Sequence, residues 1–273
     1  IIIPKGEVFL NAVGVTLVNS VNPSSDLLAN SLVSILKSNN CKKIHYIQEG
    51  PTWLFNDYNI VDQINFYNNL QQFDTIYAHN DFDAKFYKGL LPNSTVKVMP
   101  TLLIEKLINN INNPKENKVI IGGNFARWYG GFQSYMVAQS FNLPIWAQDS
   151  HCKRPGEDQL PNLNHLQRLS WIDWMHALST FKYAVHLMPT VAAGTFSLNC
   201  AYFGIPCIGN HNVDTQKICH PNLSVDVDDV EKARILANRL RDDIEFYNEC
   251  SNQSKELYRE HYDISNYLKK INL

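Results

Sequence analysis

The stretch Val185-His186-Leu187-Met188-Pro189-Thr190-Val191-Ala192-Ala193-Gly194-Thr195-Phe196-Ser197-Leu198-Asn199-Cys200-Ala201-Tyr202-Phe203-Gly204-Ile205-Pro206-Cys207-Ile208-Gly209 reads as strand, small-residue turn, helix, glycine stop and second strand. That is the repeating unit of parallel sheets with helical crossovers. Ala192, Ala193 and Gly194 are small enough for a ligand to approach the backbone. Thr195 and Ser197 can cap the helix or lend hydroxyls to an anion, and a helix start with free N–H groups is a ready phosphate site. Asn199 lies one turn after Thr195, where its amide can meet a ribose hydroxyl. Strand-turn-helix units with a glycine occur in every parallel α/β protein, so this unit acquires meaning only from its surroundings.

Outward from this unit, short apolar runs alternate with helical patterns along the whole chain. In the first half, strands are expected at Val13 to Val18, Lys43 to Gln48, Asp74 to Ala78 and Thr95 to Met99. A helix is expected from the Ser24-Ser25-Asp26 cap, with Leu28, Leu32, Ile35 and Leu36 on one face, and a second with Phe82, Phe86 and Leu90 on one face. The polar, proline-bearing stretch Asn109 to Asn117 is expected to be a linker. Beyond it, strands are expected at Lys118 to Ile121, Ile145 to Ala147, Tyr183 to Met188, Ile205 to Ile208 and Leu223 to Val227. Helices follow, the first starting at Asp228-Asp229. The fold class is α/β.

Of 273 residues, 45% are hydrophobic and 18% charged, with a formal net charge of −2, so the chain has a core and no broad basic footprint for nucleic acid. Six scattered cysteines form no C-x-x-C pair and read as reduced core thiols. His165, His176 and His186 are too dispersed for a zinc site, and no metal is expected. Neither a G-x-S-x-G elbow nor a Walker loop is present, which argues against hydrolase and NTPase readings. The opening Ile1-Ile2-Ile3-Pro4-Lys5 is too short for a secretory core and no run reaches membrane-spanning length, so a soluble, cytoplasmic protein is expected. Oligomeric state is left open.

Four segments carry a resemblance to one family. Ala193 to Ser197, followed by Ala201-Tyr202-Phe203-Gly204-Ile205-Pro206-Cys207-Ile208, resembles the donor-site block of GT-B-fold glycosyltransferases, where a small-residue turn enters a helix and A-x-x-G-x-P-x-I follows. Val119-Ile120-Ile121-Gly122-Gly123-Asn124-Phe125-Ala126-Arg127-Trp128-Tyr129-Gly130-Gly131 is similar to the first turn of their donor domain, a strand and glycine turn with basic residues over a pyrophosphate. Ile44-His45-Tyr46-Ile47-Gln48-Glu49-Gly50-Pro51, with Trp53, Phe55 and Tyr77-Ala78-His79-Asn80, is similar to the amino-terminal domain of bacterial members, including rhamnosyltransferase-like ones. Ser254 to Tyr262, with Ile264, Tyr267 and Leu268, resembles their closing helices.

The resemblance implies two Rossmann-like domains facing across a cleft: a short acceptor domain over 1–110, a nucleotide-sugar donor domain over 111–258, and a terminal helix over 259–273 packing back on the first domain. It implies transfer of a sugar from a nucleoside diphosphate sugar to a hydroxyl of a glycan or other acceptor, without metal or bound cofactor. Donor contacts fall to Gly123, Asn124, Arg127, Gly194, Thr195, Phe196, Ser197 and Asn199, with Lys153 or Arg154 as further phosphate contacts. Arg127 would neutralise the departing diphosphate. Glu49 or His79 would orient or deprotonate the acceptor, though in the retaining branch the leaving phosphate can take the proton. For Glu49 and His79 an ordinary loop-capping role is the bland alternative. The chain departs from the family pattern at Val191 and Asn199, where relatives pair two glutamates, and at Asn124 and Tyr129, where relatives carry Arg and Lys. A catalytically reduced nucleotide- or glycan-binding module is therefore the competing reading, and an epimerase on the same fold a lesser one.

Overall fold

The computed structural model of the chain describes residues 2–3, 6–10, 15–20, 43–48, 58–123, 125, 128–148 and 153–271. Glu49, Asn124 and Arg127, the helix expected from Ser24, Trp53, Phe55, Cys41 and Cys152 lie outside them. Two compact units divide at Pro100 and Thr101.

The first unit has a six-stranded sheet in the order β1 (Ile2–Ile3), β2 (Gly6–Leu10), β3 (Val15–Ser20), β4 (Lys43–Gln48), β5 (Thr75–Ala78), β6 (Val96–Val98). β1 to β3 pair antiparallel, and β3 to β6 pair parallel. The antiparallel start is absent from the sequence reading, because strands of two and five residues offer no period to read. Helix α1 (Ile60–Leu70) starts where Asn59 accepts from the Val61 N–H at 2.8 Å, and it buries Phe66 and Leu70. Helix α2 (Asp81–Leu90) starts on Asn80, whose Oδ1 accepts from the Asp83 N–H and whose Nδ2 donates to the Asp83 carboxylate, both at 2.7 Å. Phe82, Phe86 and Leu90 do share a face of α2, but that face is exposed. Asp83, Ala84 and Tyr87 are the ones buried toward β5 and β6. The i, i+4, i+8 spacing identified the helix and not its buried side, since a buried acid that caps its own helix turns the core face by about one residue.

In the second unit six parallel strands lie in the order β12 (Ser224–Val225), β11 (Cys207–Asn210), β10 (Phe181–His186), β7 (Glu116–Ile121), β8 (Ile145–Gln148), β9 (Leu163–Leu166). Counted along the unit this is sixth, fifth, fourth, first, second, third, the doubly wound nucleotide-binding order. Period-2 alternation sends Val119, Ile121, Tyr183 and Val185 to one core layer and Ile120 and Ala184 to the other. Both faces are covered, which is why these strands read as continuous apolar runs. Helix α3 (Gly131–Ala138) follows β7, α4 (Trp171–Ser179) precedes β10, and α5 (Thr195–Tyr202) and α6 (Asp214–Cys219) cross to β11 and β12. β9 was not expected from sequence: it is an edge strand of half-buried residues, Leu163-Asn164-His165-Leu166, and needs no apolar run.

Helix α7 (Val230–Asp242) starts at Asp229, whose side chain accepts from the Lys232 N–H at 3.0 Å, as the sequence suggested. Helix α8 (Ile244–Tyr262) buries Phe246, Tyr247, Cys250, Ser254, Tyr258 and Tyr262, and α9 (Ile264–Ile271) follows. The helix break falls at Asp263, so residue 259 lies inside α8. The stretch read as a linker belongs to the second unit, and Ile108, just before it, is fully buried there. No described helix is long and apolar enough to cross a membrane. Cys200, Cys207, Cys219 and Cys250 are free, buried thiols; burial, with a hydrogen bond donated to Cys200, pushes the Cys207 thiol up.

Candidate nucleotide-binding site

The strand order reverses between β7 and β10. Their carboxyl ends open onto the crevice where open α/β sheets place ligands, because the connections diverge there to opposite sides of the sheet. Each of the two strands leads to a helix entered from a left-handed glycine. Gly130 (φ 64°) precedes α3 and Gly194 (φ 72°) precedes α5, and neither helix start has a side-chain cap. First-turn N–H groups have no partner within their own helix, so two uncapped starts leave two sets of donors and two positive dipole ends beside one crevice.

Close packing makes these glycines obligatory. A Cβ on Gly194 would stand 2.0 Å from Thr215 Oγ1, and one on Gly130 would stand 1.9 Å from the Leu187 carbonyl oxygen. Gly122, whose N–H donates to Val185 O at 2.8 Å, lies against His186 and Phe196; a Cβ there would be 2.5 Å from His186 Cγ and 2.7 Å from Phe196 Cδ1. The glycine turn after β7 and the small-residue turn before α5, 70 residues apart in the sequence, therefore touch.

The loop between β10 and α5 is held along its length. The Leu187 N–H donates to Ser134 Oγ (2.9 Å), Asn210 Nδ2 to Met188 O (2.8 Å), Thr190 Oγ1 to Trp128 O (2.8 Å) and Thr101 Oγ1 to Ala193 O (2.7 Å). Four fixed points leave the backbone little freedom to lose when a ligand arrives. Leu187, Met188, Thr190, Ala193 and Trp128 lay in segments singled out from sequence; Thr101, Ser134 and Asn210 come from other elements and carry no local signal.

On α5 itself Thr195 is exposed, Phe196 half-buried against His186 (5.0 Å between ring centroids), and Ser197 buried. The Ser197 hydroxyl is turned inward, to Gly194 O at 3.1 Å and Thr215 Oγ1 at 2.7 Å, and Thr215 Oγ1 donates to the same carbonyl at 2.8 Å. It holds the turn, and what Ser197 offers the crevice is its backbone N–H. Asn199 is 7% exposed, and its side-chain amide has no hydrogen-bond partner among the described residues. Burial pushes His186 and His220 down to about 4, so both are neutral near pH 7. His220 Nε2 donates to Ser197 O (3.0 Å); His186 Nε2 is enclosed with no partner.

Lys153 and Arg154 stand in the connection from β8 to β9, one strand outward. That loop is built on Glu157, 3% exposed, whose carboxylate accepts from the Arg154 N–H (3.0 Å) and meets His165 Nε2 (2.8 Å). Lys153 pairs with Asp158 at 3.1 Å, while the Arg154 side chain is exposed. In the first unit His79 follows β5, and its Nδ1 lies 3.1 Å from Met99 O. A carbonyl only accepts, so Nδ1 carries the proton and Nε2 is left as the basic nitrogen. The described residues hold no group of three or more His, Cys, Asp or Glu side chains able to bind a metal ion.

The fold is GT-B, the two-domain α/β architecture of glycosyltransferases that use nucleotide sugars. Among solved structures, sucrose-phosphate synthase from Thermosynechococcus elongatus superposes with a TM-score of 0.71 at 12% identity, over 94% of this chain and 72% of that one. Anabaena HepE in complex with UDP and glucose superposes with a TM-score of 0.72 at 9% identity, over 94% and 76%. Staphylococcus aureus TarM, solved with fondaparinux, alpha-GlcNAc-glycerol and UDP, gives 0.66 at 10% identity over 93% of this chain and 54% of its own. No family model matches the chain, and no curated protein matches it in sequence.

Proposed function

We propose that this protein is a glycosyltransferase that uses a nucleoside diphosphate sugar, bound by the second unit at the carboxyl ends of β7 and β10. One observation carries the reading: both strands flanking the switch point run into uncapped helix starts entered from left-handed glycines, and the two turns pack on each other. The diphosphate is held by N–H groups of Thr195, Phe196 and Ser197 and by the Gly123 turn, with Asn124 and Arg127 following in the chain. Lys153 is tied to Asp158, which leaves Arg154 as the better placed basic group of its loop. Asn199, buried and unpartnered, is available to a ribose hydroxyl.

In the reaction the acceptor oxygen bonds to the anomeric carbon as the bond from that carbon to the diphosphate breaks. Negative charge grows on the diphosphate, where N–H dipoles and Arg127 stabilise it, so the step as proposed needs no metal. The acceptor proton goes to His79 Nε2, to Glu49 or to the leaving phosphate. UDP-bound complexes among structures of this fold support the donor class.

Calorimetry with UDP, GDP and dTDP, followed by donor turnover with the matching nucleotide sugars, tests the reading. Binding of at least one diphosphate, weakened by Thr195→Ala and by Arg127→Ala, is expected. Absence of binding to all three would overturn it. Binding without turnover on any acceptor would move the chain to the reduced, binding-only class that Asn199 and Val191 also fit.

A further inference from the structure

The second unit has an open cavity of about 510 Å³ at the opposite, amino-terminal ends of β7 and β10. Three cations line it: Lys115, the residue before β7, and Lys255 and Arg259 of α8. Lys255 and Arg259 are four residues apart, on one face of the helix, where like charges repel. The ion pairs among the described residues lie elsewhere, so neither has an acidic partner. The one lining carboxylate, Glu105, accepts the Tyr258 hydroxyl at 2.8 Å.

Lys115 Nζ donates to Ser179 O at 2.9 Å, which leaves two of its three N–H groups for another acceptor. Although Lys115 is an exposed residue, desolvation of its ammonium, with Lys255 close by adding repulsion, brings its pKa down to about 8. Its Nζ sits 5.9 Å from the centre of the Phe203 ring, and Tyr202 and Phe203 form an aromatic wall. Three cations and one carboxylate, Glu105, line the cavity beside a partly apolar wall, so it carries an excess of positive charge that an anion would balance.

We propose that this cavity is a second ligand site, for a small molecule carrying a phosphate monoester, with the phosphate among Lys115, Lys255 and Arg259 and the body of the ester against Tyr202 and Phe203. A monoester carries close to two negative charges and three acceptor oxygens, which suits three converging cations, and an arginine fork binds phosphate in a fixed geometry. The volume falls within the range of small-molecule pockets. Lys115 and Gly122 stand at opposite ends of an extended strand, about 23 Å apart at the usual rise per residue, so this site is not an extension of the nucleotide crevice. It does not depend on the function proposed above.

Titration calorimetry of the full chain with a hexose 6-phosphate, with inorganic phosphate and with succinate tests the proposal. Saturable binding of the hexose phosphate is expected, with about tenfold loss in Arg259→Ala and more in Lys255→Ala/Arg259→Ala. Both side chains lack ion-pair partners, so these variants should fold, as their melting curves would verify. Thr195→Ala, at the other end of α5, should leave this affinity unchanged. No saturable binding at millimolar ligand, or equal affinity in the double variant, would overturn the site. Succinate matching the hexose phosphate would overturn the phosphate class, and inorganic phosphate matching it would overturn the role of the aromatic wall.

Discussion

Gly194 concentrates two requirements in one position: a left-handed backbone at φ 72° and a neighbour 2.0 Å from where a Cβ would stand. Gly194→Ala should cost about 2 kcal/mol or more in urea unfolding and abolish nucleotide binding, since the α5 start must shift to admit the methyl group. A variant as stable as the parent would show that the turn is not held as tightly as its contacts indicate. Histidine burial gives a second test at this scale. His220 has a pKa near 4 in the folded protein against 6.5 when exposed, so between those values the unfolded chain binds more protons. Its contribution is intact above pH 6.5 and is lost as pH falls toward 4, on the order of 3 kcal/mol across the window. His220→Gln, which keeps an N–H near Ser197 O, should reduce the loss of stability between pH 6.5 and 4, with His186 still contributing over the same window; an unchanged acid slope would refute the assignment.

Helix starts organise the elements, and they fall into two kinds. Helices α1, α2, α4, α7 and α8 are closed by side chains, from Asn59, Asn80, Ser170, Asp229 and Asp243, whereas α3 and α5 at the switch point are left open behind glycines and the short α6 is open behind Val213. Removing a closing side chain should therefore cost stability without touching the site. Asp243→Ala loses two N–H contacts, from Glu245 and Phe246, and the Arg239 ion pair, and should lower stability with nucleotide affinity unchanged. Asn80→Ala loses both the cap and the amide bond to buried Asp83 and should cost more, about 2 kcal/mol, as judged by chemical unfolding. Equal losses in the two variants would mean that the Asn80 amide bond adds nothing to the cap.

For the whole molecule, the sheet order fixes where ligand effects appear. Hydrogen exchange with and without a bound nucleoside diphosphate should show new protection at the turns after β7 and β10 and in the first turn of α5. The amino-terminal ends of the same strands should be unchanged. Protection confined to the β8 to β9 connection would place the nucleotide on Lys153 and Arg154 and remove it from the switch point. A ligand present at 100 times its dissociation constant should also raise stability by about 2.7 kcal/mol.

Sequence alone determined the α/β class, the interior strands and the two glycine turns, because continuous apolar runs and left-handed glycines are local demands of the backbone that any neighbour must respect. Lys43 to Gln48 was legible to the residue, and Gly122 to Gly131 and Ala193 to Ser197 stood out as backbone approaches before any contact was known. Tertiary structure decided the rest. It alone joined the two turns through Gly122, His186 and Phe196, turned the Ser197 hydroxyl inward onto Gly194 and Thr215, placed Phe82, Phe86 and Leu90 on the outside of α2, and gathered Lys115, Lys255 and Arg259 around one cavity. Those outcomes depend on which distant residues meet, and the strand order that brings them together is set by packing over the whole sheet, which no local pattern encodes.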